Sequence, residues 1–197
     1  MNALRSVSLA AALAGAALLT GCNLLPEAAP ERARQFVLEG RMAAAEAPAG
    51  AVRLGLRPVE VPAYLRAKAM VARSGENEVR FVTDAYWAEP LDGAIARLLR
   101  ERLAAGAKVL AYPFPAQLPR DYDLTVRVLH AEGAADGVRF TAVIELLRVG
   151  DQPQLVVRRQ FTAPAVAWNN DPAQLARGLS GAVEALADEV LAVVPAK

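Results

Sequence analysis

The spacing of apolar positions changes several times along this chain, and each change marks an element. Residues 7–19 are almost uniformly apolar or small, a continuous block and not an amphipathic face. After it, Pro26 and Pro30 interrupt a short mixed stretch, so residues 22–35 read as a tether, reaching about 3.1 Å per residue in a polyproline-like state. Phe36-Val37-Leu38 suits a first strand, and residues 40–50, alanine-rich with Pro48, read as a loop or short helical turn. Val52, Leu54 and Leu56 alternate with Arg53, Gly55 and Arg57, the period of a half-buried strand. Pro58 and Pro62 predict that this strand ends there or lies at an edge. Residues 69–73 and 78–83 flank Ser74-Gly75-Glu76-Asn77, a hairpin signal.

Helical spacing then takes over. Leu91, Ile95, Leu98, Leu99 and Leu103 share one face. Pro90 suits the first helical position, Asp92 complements the positive helix start, and Gly106 is a plausible stop. The strand period returns over 108–112, 121–131, 138–149 and 154–163, with turns at 113–119 and 150–153. Asp171-Pro172 opens a second helix in cap-then-proline order. Its apolar face is Leu175, Leu179, Val183, Leu186, Val190 and Val193. Two amphipathic helices and an extended set of strands predict an α+β domain over 36–195. It has two layers, a mixed or antiparallel sheet packed with two amphipathic helices.

The apolar block at the start decides the compartment. Its 13 residues follow a short n-region bearing Arg5, and a membrane span needs roughly 20. The length and flanks are those of a secretory h-region. Leu19-Thr20-Gly21-Cys22 resembles the bacterial lipobox. Residues 1–21 are therefore read as a lipoprotein signal peptide and Cys22 as the acylated first residue of the mature chain. Multiple acyl chains anchor stably where one does not. Asn23 in place of an aspartate favours the periplasmic side of the outer membrane over inner-membrane retention.

Composition removes chemistry. The chain has 197 residues, 22 Lys+Arg against 21 Asp+Glu, one Cys and one His. No basic excess is present for nucleic-acid binding, and no disulfide framework or Cys-rich metal site can form. There is no GxGxxG, Walker-type lysine loop or HExxH run, so no cofactor and no metal is expected. His130 is in phase with Leu124, Val126 and Val128 and is expected on the buried face, hydrogen-bonded, not acting as a general base. Asp121 and Asp123 point the same way, but two carboxylates are a poor cation site and solvation at a turn is the better reading. Arg158-Arg159 places one charge on each face of a strand, as a solvated edge or cross-strand partner. No active site is legible, and the chain is read as a non-enzyme.

Three aromatic–proline segments stand out: Pro58-Val59-Glu60-Val61-Pro62-Ala63-Tyr64-Leu65, Trp87-Ala88-Glu89-Pro90-Leu91 and Tyr112-Pro113. Together with Phe36-Val37-Leu38, in this order, they resemble the ABC-type transport auxiliary lipoprotein family of PqiC/YmbA type. Arg66-Ala67-Lys68 departs from the family, where an acidic residue followed by arginine is usual after Leu65. The resemblance implies an auxiliary lipoprotein working with an MCE-domain protein and an inner-membrane transport component. Their cargo would be lipids or hydrophobic molecules crossing the envelope, and self-association is a further option. The alternatives are an accessory lipoprotein of another outer-membrane assembly, or an independent periplasmic lipid- or solute-binding lipoprotein. Tyr64 and Trp87 flank proline-fixed turns and are the candidate partner-binding residues, since aromatics are enriched at interface hot spots; the alternative for each is geometry, with prolines fixing turns and Trp87 sealing the helix N-terminus against the sheet.

Overall fold

The computed structural model describes residues 32–40 and 47–195. The leader 1–21, Cys22 and most of the tether lie outside the described residues, as do residues 41–46 of the alanine-rich stretch. Eight strands follow in chain order: β1 (Arg34–Phe36), β2 (Arg53–Leu56), β3 (Ala69–Arg73), β4 (Val79–Trp87), β5 (Lys108–Ala111), β6 (Tyr122–Ala134), β7 (Gly137–Arg148) and β8 (Gln154–Thr162). Helix α1 (Leu91–Leu103) separates β4 from β5, and α2 (Pro172–Val193) ends the fold.

The sheet is built on β6. Along one side β6 pairs antiparallel with β7, and β7 with β8. On its other edge two strands lie end to end, both parallel to it. β2 pairs with its start, Leu54 opposite Tyr122, and β3 meets its far end at the single pair Ala72–Gly133. β5 extends the sheet beyond β2, and β4 then β1 extend it beyond β3. The sheet is therefore mixed, and with two helices the domain is α+β.

Both helices pack together, with α2 across β6 and β7. The apolar face of α2 is buried as its spacing predicts, from Leu175 through Leu179, Val183 and Leu186 to Val190. Asp171 caps it by accepting from the Ala173 N–H at 3.0 Å, with Pro172 at the first turn. Pro90 caps α1 from just outside the helix, one place earlier than expected. Gly178 lets α2 approach the sheet closely: a Cβ there would sit 2.6 Å from Val138 Cγ2.

One strand reverses its faces. The pairing of β6 with β7 shifts between Val128 and His130. Before the shift Val126 and Val128 face the helices with Ile144 and Ala142; after it Ala131 does so opposite Phe140. His130 therefore lies on the outer face beside Glu132 and is half-buried, not on the apolar face its phase predicts. A bulge inserts one residue and flips the alternation beyond it.

Candidate functional site

The three aromatic–proline segments converge around the start of α1. Val59, Val61, Leu65, Trp87 and Leu91 enter the core. Pro58 and Tyr112 line one shallow groove of about 220 Å³ with Asp92 and Gly93 of α1. Trp87 is 5% exposed, because the last residue of β4 turns its ring inward where α1 begins. Its backbone N–H donates to the Lys68 carbonyl at 2.7 Å, which ties down the segment carrying Tyr64. Tyr64 is half-buried in a 3-10 turn, Ala63–Arg66. The expected surface position is thus not where Trp87 lies; both aromatics support the 63–68 turn.

The Tyr64 hydroxyl donates to Glu132 Oε2 at 2.7 Å. Glu132 is 0% exposed, yet its charge is matched: Arg73 Nε donates to Oε1 at 2.9 Å, and His130 Nδ1 lies 3.2 Å from the same oxygen. Burial, then the hydrogen bond to Glu132, pushes the Tyr64 phenol well above its ordinary range, so it stays a donor. A buried carboxylate needs such partners, and among the described residues no buried side-chain polar atom lacks one.

A more exposed constellation lies at the opposite end of β6. β5 ends at Ala111, paired with Leu56, and the chain turns through a cis Tyr112–Pro113 peptide into the loop 112–120. Tyr112 is 56% and Leu118 48% exposed. Phe114 is edge-on to Tyr112 with ring centroids 5.5 Å apart. The Arg120 guanidinium lies 4.3 Å from the Phe114 ring centre and that of Arg57 5.9 Å, a cation–π arrangement. Both arginines bond buried Asp123: Arg57 Nη2 to Oδ2 at 2.7 Å, and Arg120 Nε to Oδ1. Gly55 opens the space, since a Cβ there would sit 2.8 Å from Arg120 Cδ and 3.0 Å from Phe114 Cε1. Beside it, Arg53 clamps Asp121 with two guanidinium bonds and its own N–H. Asp121 and Asp123 are therefore arginine partners, not solvated turn residues.

The loop presents an aromatic ring and a leucine to solvent on a base fixed by charge, and tyrosine is among the residues enriched at interface hot spots. Among the described residues no group of three His, Cys, Asp or Glu could hold a metal ion, and no helix is long and apolar enough to cross a membrane. Sequence reasoning singled out Tyr112-Pro113 and the two aspartates but did not connect them. The connection needs the parallel register Gly55–Asp123, which local pattern does not encode.

A profile of the ABC-type transport auxiliary lipoprotein component matches residues 36–191. The crystal structure of a Xanthomonas campestris protein of the DUF330 family superposes with a TM-score of 0.66 at 19% identity, covering 81% of this chain and 93% of that one. A second crystal structure, of an uncharacterised protein, gives 0.58 at 22% identity over 79% and 97%. These likenesses establish the fold. No match is found among the curated proteins.

Proposed function

The chain belongs to the ABC-type transport auxiliary lipoprotein family, and from that premise we propose that it is a non-enzymatic periplasmic lipoprotein, held at the outer membrane through acylated Cys22. In this reading residues 1–21 are the signal peptide, 22–35 the tether and 36–195 the working domain. It serves an MCE-type ABC transport system, contacting an MCE-domain protein and an inner-membrane component that move lipids or hydrophobic molecules across the envelope. The observation that carries the reading is the family match over nearly the whole domain, with a lipobox cysteine 14 residues ahead of it.

The partner surface we assign is the exposed loop carrying Tyr112 and Leu118; Tyr64 and Trp87, the candidates read from the sequence, hold the separate 63–68 segment in place. Affinity-tagged full chain, purified from its own membranes, should bring down an MCE-domain protein. Tyr112→Ala with Leu118→Ser should weaken that recovery about tenfold or more, the scale of a lost interface anchor, with circular dichroism unchanged. An acylated, folded chain that retrieves no MCE-domain protein overturns the reading. Cys22→Ala should abolish palmitate labelling; labelling that persists overturns the lipobox assignment.

A further inference from the structure

The geometry points to a second site: a groove for one acyl chain with an anionic headgroup, between α2 and the strap that follows β8. The groove measures about 450 Å³. One wall is the strap, with Pro164 and Val166; the other is α2, with Gly178, Gly181 and Ala185. Gly181 faces open space, for a Cβ there would meet nothing within 4 Å. From Gln174 to Ala185 the helix wall runs about 16 Å. The inference stands apart from any MCE partner, since every residue in it belongs to this domain.

The walls select what can lie there. A docked helix of about 10 Å diameter sweeps roughly 420 Å³ per turn, so the groove would seat a single turn. An extended peptide brings N–H and C=O groups that need partners. The α2 wall has none to give, because mid-helix backbone is bonded within the helix. On the strap, the Val166 carbonyl already accepts from Val138 N at 2.7 Å and the Ala163 N–H donates to Phe140 at 3.0 Å. An acyl chain carries no such groups and loses nothing by entering.

Two polar side chains line the groove, Gln174 and Arg177. The Gln174 Oε1 accepts from the Asn169 N–H at 2.9 Å. Arg177 is exposed and has no carboxylate partner among the described residues. One unmatched guanidinium beside an apolar channel complements one carboxylate or phosphate on a hydrocarbon tail, and arginine pairs with such groups bidentately.

Membranes carrying the full chain are mixed with a diazirine-bearing palmitic acid, irradiated, and the labelled peptides mapped by mass spectrometry, in parallel with the probe's methyl ester. The acid should label both walls, residues 163–167 and 174–185. Gly181→Leu places a side chain in the open space and should cut that labelling about tenfold. Its melting temperature should hold or rise, because leucine is the better helix former. Arg177→Gln should lower labelling by the acid and leave the ester unchanged. Should Gly181→Leu prove unstable, Ala185→Leu narrows the same groove one turn on and decides the question. Label spread evenly over the domain, or undiminished in a folded groove-filling variant, overturns the site. Undiminished labelling of Arg177→Gln by the acid overturns the headgroup assignment.

Discussion

Tyr64→Phe removes one oxygen and tests whether the buried carboxylate on β6 holds the 63–66 turn. In the native fold Glu132 Oε2 accepts from the Tyr64 hydroxyl at 2.7 Å, and its other close donor, the Ala131 N–H, is 3.4 Å away. Arg73 and His130 both reach Oε1. Loss of the hydroxyl therefore leaves one oxygen of a fully buried carboxylate with only a long bond, while Arg73 keeps the charge matched. Hydrogen bonds to charged groups are worth about 1.5–3 kcal/mol net, so the expected loss is about 2 kcal/mol. For a domain of this size that lowers Tm by about 4–8 °C. The pH dependence gives a second arm. The folded phenol is raised above its ordinary value of 10.0. Its contribution is therefore complete below about pH 10 and is lost as pH climbs above that, because the unfolded phenol ionises first. Urea melts of both chains should show a gap that is constant through neutral and mildly alkaline pH and narrows above 10. A Tyr64→Phe chain within about 0.5 kcal/mol of the native one, or a gap that widens with pH, would refute the reasoning.

Three further outcomes follow from packing and charge. Leu179→Ala or Leu186→Ala, at fully buried positions on α2, should each cost about 2–5 kcal/mol in chemical denaturation. Gly55→Ala forces a Cβ against Arg120 and Phe114 and should cost about 1–3 kcal/mol, read as a lower Tm together with weaker recovery of the partner. Glu132→Ala strands a partly buried Arg73 guanidinium and should cost about 3–5 kcal/mol, more than Tyr64→Phe by the same assay.

Much of the helix layer was legible because its determinants are local. The α2 cap, its proline and its buried face lie within one continuous segment, and period 3.6 exposes them directly. Most strands were legible for the same reason: alternation in 52–56 and in 121–131 reports a face without reporting a neighbour. Neighbours were the missing information. Nothing in residues 52–57 tells that Gly55 lies opposite Asp123, and hence that Arg57 and Arg120 share one carboxylate. His130 misled because phase counting assumes an unbroken ladder, and one bulge inverted it. For Trp87 the sequence left two positions open, a rim and a seam between layers, and only the third dimension places its ring in the seam.

The outer face of the sheet shows why so many charges sit in an otherwise apolar domain. β6 carries its parallel neighbours end to end, and each junction is crossed by an ion pair. Arg57 reaches Asp123 and Arg53 reaches Asp121 at the β2 end, Glu60 meets Arg127 midway, and Arg73 meets Glu132 where β3 arrives. β3 has a single ladder partner on β6, so backbone bonding alone would hold its register weakly. A slip by one residue would carry Arg73 to the opposite face, leaving Glu132 buried and uncompensated, a state costing several kcal/mol. The ion pairs thus act with hydrophobic burial, which the same slip would disrupt, to fix one alignment. Their side chains are committed to that task, whereas Tyr112, Leu118 and Arg177 take no part in it. All three stay exposed while the ion pairs fix the strands.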